Sequence, residues 1–175
     1  MIGIGSGPRG SLMRVRWNLP PPGPPLPSGS WRTFPPGRVI GRGHPAGDFL
    51  EAYDWKVIEQ RPGYLKLDVH LPAHLRNPRG DLFGGYTPTY VDMVALRTVV
   101  SARAPGDMRT WLSTMSMRVD YLAPITADRF VIEGERMHTR KGTHLVEVRF
   151  RVIDGGEADL LAFAVVTLRD MPRKA

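Results

Sequence analysis

Residues 83–103 read Phe-Gly-Gly-Tyr-Thr-Pro-Thr-Tyr-Val-Asp-Met-Val-Ala-Leu-Arg-Thr-Val-Val-Ser-Ala-Arg. From Tyr86 to Arg103, Val91, Val94, Ala95, Thr98, Val99 and Ala102 recur at steps of three and four, the period of one helical face. Gly84-Gly85 precedes this run and Pro105-Gly106 follows it, so the pattern predicts a central helix begun by the glycine pair. Pro88 falls in the first turn, where its missing N–H has no helical partner to lose.

Strand signals lie on both sides. Upstream, Lys56–Gln60 and Tyr64–Leu71 flank Arg61-Pro62-Gly63, where Pro presets φ and Gly supplies a positive one; Leu65, Leu67, Val69 and Leu71 alternate with polar residues. Downstream, strands are predicted over Leu112–Leu122, Arg129–His138, Thr143–Asp154 and Asp159–Asp170. Pro124 with Thr126-Ala127-Asp128, then Thr139-Arg140-Lys141-Gly142, then Gly155-Gly156 separate them, and such short spacings require antiparallel neighbours. A short amphipathic helix is expected over Asp48–Trp55. The reading is an α+β domain of order β-β-α-β-β-β-β, its long helix laid across one face of an antiparallel sheet so that both apolar faces are buried together. Met115, Met117, Val119 and Tyr121 are expected on the packed face of their strand.

The first 45 residues differ in kind. They hold ten of the 17 Pro and nine of the 19 Gly, and six Arg with no acid, a composition expected to stay disordered or polyproline-like. We therefore divide the chain into a tail, 1–45, and a domain, 46–175. The net charge of +7 belongs to the tail: six of the 24 basic residues lie there, leaving 18 against 17 acids in the remainder. A nucleic-acid partner is accordingly not expected. A membrane span is not expected either, because no run of about 18 apolar residues occurs. The chain has no Cys, which removes disulfides, thiolate ligands and thiol catalysis and is compatible with the cytoplasmic location expected here. His and acid residues lack metal-ligand spacing, so neither metal nor other cofactor is expected.

Chemistry is suggested where loop meets helix, over Asn77-Pro78-Arg79-Gly80-Asp81-Leu82-Phe83-Gly84-Gly85. Glycines at a helix N-terminus expose backbone N–H groups at the positive end of the helix dipole, a place for a developing oxyanion. Asp92, seven residues past Gly85, puts a carboxylate between Val91 and Met93 on a largely apolar helix. Buried there, it costs several kcal/mol unless it is bonded or functional. The alternative is a carboxylate at an exposed helix position and a glycine pair that only turns the chain.

In Asn77, Gly80, Gly84-Gly85 and Asp92, spaced by 3, 4, 1 and 7, the chain resembles the hotdog-fold acyl-CoA thioesterases of the PaaI-like branch, related to the 4-hydroxybenzoyl-CoA thioesterases. That family's signature is Asn-x-x-Gly-x-x-His-Gly-Gly followed by a helical acid or Asn. The resemblance spans about residues 46–170. It implies a hotdog fold and an acyl-CoA or aryl-CoA substrate, hydrolysed to free acid and CoA. It further implies that the backbone N–H of Gly84 or its neighbour polarises the thioester carbonyl, that Asn77 orients the carbonyl or the water, and that Asp92 is general base or nucleophile, contributed across a dimer interface. Thr114 falls where related enzymes often carry a Ser or Thr that positions water, and a plain strand Thr is the alternative.

Arg140, Lys141 and Gly142 lie on a hairpin that related enzymes place near the nucleotide, though Arg-Lys in a turn is also a common solvated surface. Phe83, Gly85 and Tyr86 are candidates to line the acyl site; Tyr90 is a second aromatic there, or a core residue. The chain departs from the signature at Phe83, which stands where the family has His. That departure leaves an alternative: a non-catalytic hotdog domain that binds acyl-CoA. His74 is the nearest substitute in sequence, with His70, His138 and His144 expected to be exposed or structural. A shared site and an open sheet edge imply a homodimer or homotetramer.

Overall fold

A computed structural model describes residues 30–104, 110–153 and 159–172. The expected helix stop at Pro105-Gly106, the turn at Gly155-Gly156 and residues 1–29 of the expected tail lie outside the described residues.

The strands are β1 (Lys56–Arg61), β2 (Tyr64–His70), β3 (Thr110–Tyr121), β4 (Arg129–Arg140), β5 (Thr143–Val152) and β6 (Leu160–Pro172). They form one antiparallel sheet in the order β1-β2-β4-β5-β6-β3. Helix α2 (Thr87–Val100) crosses one face, entered through a 3₁₀ turn at Gly84–Tyr86. This is the hotdog fold, the architecture expected from the sequence. Alternation on each strand sends Leu65, Leu67 and Val69, Phe130 and Ile132, Val146, Val148 and Phe150, and Ala164, Val166 and Leu168 beneath α2, all buried. Tyr90, Val91, Val94, Ala95 and Val99 answer them from the helix. Tyr90 is thus a core residue, stacked on Trp55 with ring centroids 5.5 Å apart.

The helix is seated by a missing side chain. A Cβ at Gly134 of β4 would stand 2.1 Å from Thr98 Oγ1 and 2.9 Å from Val94 Cγ1. Thr98 Oγ1 turns back to donate to the Val94 carbonyl at 2.8 Å, so no polar atom is stranded in this contact.

Three details depart from the sequence reading. The expected helix over Asp48–Trp55 is instead α1 (Pro45–Phe49) and a 3₁₀ turn at Ala52–Asp54, separated by Glu51 at φ 52°. Met115 is exposed, not packed: β3 carries a bulge between Thr114 and Ser116 against β6, and Met115 is the extra residue. Met117 and Val119 are partly buried against the core as expected, whereas Tyr121 is largely exposed.

Among the described residues, core packing extends upstream of residue 46. Val39 and Ile40 are core residues, and Gly37 at φ 78° turns the chain so that its carbonyl accepts from Val57 N–H. Arg38 donates to the Asp54 and Trp55 carbonyls. Composition averaged over 45 residues hides one apolar pair, and that pair is enough to bring the segment down. The same segment places Trp31 and Phe34 with ring centroids 5.7 and 5.9 Å from the Arg97 guanidinium of α2. Burial there lowers the Arg97 pKa to about 10.

His44 caps α1, its Nδ1 accepting from Gly47 N–H at 3.0 Å, with the Trp31 ring edge-on at 5.0 Å. An accepting Nδ1 must be unprotonated. Burial, chiefly, and the Arg97 charge push the His44 pKa below 6.5, partly offset by Asp48. A depressed pKa means the unfolded chain binds the proton more readily, so this contribution is complete above pH 6.5 and is lost as pH falls through the folded value. We predict that the thermal midpoint of the protein falls more between pH 7.5 and 5.5 than that of His44→Asn, which keeps an acceptor without the titration; equal slopes in the two proteins would contradict this.

Candidate active site

The loop leading to α2 is tied at many points. Asn77 N–H donates to the Asp81 carbonyl at 2.7 Å, Gly80 N–H returns to the Asn77 carbonyl at 2.9 Å, and Asn77 Oδ1 accepts from the N–H groups of Arg79 and Asp81 at 2.8 and 3.2 Å. Gly80, at φ 89°, makes this turn possible without strain. Asn77 therefore spends its carbonyl oxygen on the loop itself, a structural use the sequence reading did not foresee. The buried Asp81 carboxylate pairs with Arg79 at 2.9 Å. Leu82 N–H reaches the Ile125 carbonyl and Phe83 N–H the Leu75 carbonyl, both at 2.9 Å, which fixes the entry to the glycine pair.

At Gly84–Tyr86 the Phe83 side chain makes no capping bond. Its ring, 48% exposed, lies over Gly85: a Cβ there would meet Phe83 Cε1 at 2.6 Å. Phe83 and Tyr86 are edge-to-face at 5.1 Å, Tyr86 and Phe49 likewise at 5.1 Å, and Phe49 and His74 at 5.7 Å. His74 Nε2 lies 2.8 Å from the Phe49 carbonyl, so it is held in this aromatic row and does not replace the imidazole that the signature carries before Gly-Gly. Among the described residues, neither Gly84 N–H nor Gly85 N–H donates to a protein acceptor.

Asp92 is partly buried on α2, and Thr114 Oγ1 of β3 donates to its Oδ1. The sequence thus named both members of a pair that the fold brings together from elements 22 residues apart. Seven residues of helix, roughly 10 Å of rise, separate Asp92 from Gly85 of its own chain. Beside Gly84 lies a cavity of about 430 Å³ lined by Asn77, Asp81, Gly84, Thr87, Tyr121 and Pro124 among others. Tyr121 escaped the sequence reading as a site residue. Its place at the end of β3, just before the turn at Pro124, was the available signal.

Arg140, Lys141 and Gly142 stand elsewhere. Lys141 (φ 50°) and Gly142 (φ 74°) form the two-residue turn between β4 and β5. Arg140, Thr143 and Arg169 share one register row, one step from buried His144 and Leu168, so they face away from α2. With His138 and Lys141 they line a second cavity, of about 490 Å³. Among the described residues, no carboxylate lies within 4.0 Å of His138, Arg140, Lys141 or Arg169. His144 is buried between Thr139 Oγ1, 3.0 Å from Nδ1, and Asp170 Oδ2, 3.4 Å from Nε2. His70 lies 3.8 Å from Glu51.

Residues 79–158 match the model of the Thioesterase superfamily. Over those residues the chain is similar to that superfamily. Solved structures agree with the fold. A hypothetical thioesterase from Streptococcus pneumoniae, solved with coenzyme A, is 20% identical over 70% of this chain and 89% of its own, with a TM-score of 0.59. A thioesterase family protein from Silicibacter pomeroyi is 19% identical over 74% and 91%, with a TM-score of 0.63. A Streptococcus mutans protein bound to acetyl CoA is 17% identical over 70% and 92%, with a TM-score of 0.57. No curated protein sequence matches the chain. No described helix is long and apolar enough to cross a membrane.

The Phe83 ring crowds the place a side chain at residue 85 would take, and the crowding is testable. Because the Phe83 ring is half-exposed and can swing aside, Gly85→Ala should cost no more than about 1 kcal/mol, and in a Phe83→Ala background less still. Thermal or urea unfolding of the four proteins measures the coupling; additive effects would contradict it.

Proposed function

We propose that this protein hydrolyses an acyl-CoA or aryl-CoA thioester to the free acid and CoA, and that it belongs to the PaaI-like branch of its superfamily. The observation that carries the reading is the Asp92–Thr114 pair on a thioesterase-superfamily hotdog domain that also holds two undonated glycine N–H groups at the start of the same helix.

The two halves of such a site meet between two copies of the chain. Strand β3 is an edge of the sheet with its outer ladder unpaired, and Trp111, Met115 and Tyr121 are exposed along it. Two copies of β3 joined antiparallel about their middles lay the Thr114 end of one beside the Tyr121 end of the other. Asp92 then faces the second copy's glycines instead of its own. A homodimer is therefore the minimal active form, and a homotetramer is a pair of these.

Within that site, the Thr114 hydroxyl holds one carboxylate oxygen of Asp92 and leaves the other to take a proton from water. The water oxygen adds to the thioester carbon, and the carbonyl oxygen becomes an oxyanion facing the N–H groups of Gly84 and Gly85 at a helix start. Collapse expels the CoA thiolate, a good leaving group, which takes up the proton. Asn77 holds the glycine loop in place; Phe83 and Tyr86 border the acyl group. Arg140, Lys141 and Arg169 offer cationic charge to the CoA phosphates, with Gly142 shaping the turn and His138 beside them. The similar proteins solved with coenzyme A and with acetyl CoA support this choice of substrate.

One observation favours a second reading. Phe83 provides no hydrogen-bond donor where the family signature has His, as befits a domain that binds acyl-CoA without cleaving it. Turnover separates the two. Release of CoA from a panel of acyl-CoAs, followed with a thiol reagent, should fall about 10²–10³-fold in Asp92→Asn and about 10-fold in Thr114→Ala. Equal background release from wild type and Asp92→Asn would remove the enzyme reading, and thermal stabilisation by acyl-CoA without release would establish the binder. Light scattering should give twice or four times the chain mass of 19.5 kDa.

A further inference from the structure

The peptide between Gly84 and Gly85 is gripped from one side. Its carbonyl oxygen accepts from the Tyr121 hydroxyl at 2.8 Å and also from Thr87 N–H. A peptide unit is planar, with C=O and N–H pointing in opposite directions, so two donors that fix the Gly84 carbonyl also fix the direction of Gly85 N–H. That N–H then points away from Tyr121 and from the body of α2, with no acceptor among the described residues.

Among the described residues, no other side chain bonds this peptide. Both flanking residues are glycines and resist rotation poorly. The Phe83 side chain makes no capping bond, and the Thr87 bond alone closes a 3₁₀ turn, whose geometry is weaker than that of an α-helix. Tyr121 is 56% exposed, so its ring is not placed there by burial. It reaches the turn from the end of a 12-residue strand, a rigid base for a single hydroxyl. A Cβ at Gly84 would lie 3.6 Å from Tyr121 Cε1, ordinary contact, so the approach is close without being forced.

We propose that Tyr121 is a positioning residue of the oxyanion site: its hydroxyl sets the Gly84–Gly85 peptide so that Gly85 N–H is aimed at the thioester oxygen. The inference rests on the thioester reading above, and goes beyond it by assigning a task to a side chain that does not itself touch the reacting atoms.

Tyr121→Phe removes only the hydroxyl, and its test has two readouts. The first is kinetic. With an acyl-CoA that the wild type cleaves, kcat should fall about 5–20-fold while KM stays within two-fold and the thermal midpoint is unchanged. Unchanged kcat, or a raised KM at constant kcat, would overturn the proposal. The second is the Gly85 amide followed by ¹H–¹⁵N NMR in the two proteins without substrate. Its resonance should shift and its exchange with solvent should change several-fold, whereas amides in β5 should not. An unaltered Gly85 amide would overturn the proposal even if kcat fell. Absence of all turnover in the wild type would count against the thioester reading alone, and the amide measurement would still decide the role of Tyr121.

Discussion

Helix α2 lies so close to β4 that even a methyl group at Gly134 would collide with Thr98 Oγ1, 2.1 Å away. That approach sets where the helix sits over the sheet, and two contacts with β3 follow from it. Asp92 comes within reach of Thr114 on the edge strand, and the Gly84 carbonyl comes within reach of Tyr121 on the same strand. A helix lifted by the width of a side chain would lose both. The core beneath, from Phe130 and Ile132 through Val146, Val148 and Phe150 to Val166 and Leu168, leaves no space into which the helix could instead sink.

The two faces of the sheet are used differently. Beneath α2 the face is apolar. On the other, cations and carboxylates tile across strands: Lys66 with Glu133, Arg129 with Asp68, Arg149 with Glu135, Arg151 with Glu133. Such pairs, part-buried on this face, set opposite charges side by side. The end bearing His138, Arg140, Lys141 and Arg169 breaks that balance among the described residues. There an anion would meet cationic side chains with no carboxylate among the described residues within 4.0 Å of them.

Most of the architecture was legible because it rests on period and punctuation. Leu65, Leu67 and Val69 alternate, Pro62-Gly63 and Lys141-Gly142 turn, and the Val91 to Ala102 spacing admits only a helix; each element then fell within a few residues of its reading. Asp92 was legible as an acid among apolar neighbours, and the loop spacing tied it to the glycines. Three features were not. Val39 and Ile40 are a local apolar pair in a Pro- and Gly-rich stretch, and only tertiary contact reveals their burial. Asn77 was read by its place in a motif, while its Oδ1 is satisfied by backbone amides two and four residues on, a local choice that a spacing pattern does not encode. Tyr121 belongs to the turn at Gly84 through a contact 37 residues long, and no periodicity reports contacts of that range.

The bulge at Met115 does more than expose a methionine. Thr114 and Tyr121 are seven positions apart, an odd number, and in a regular strand an odd separation sends two side chains to opposite faces. Yet Thr114 pairs with Leu168 and Tyr121 with Ala162, both turned toward α2. One surplus residue corrects the parity, so a single strand can hold the carboxylate at one end and the glycine peptide at the other. Shortening β3 by that one residue would leave its composition almost untouched and set those two hydroxyls back to back.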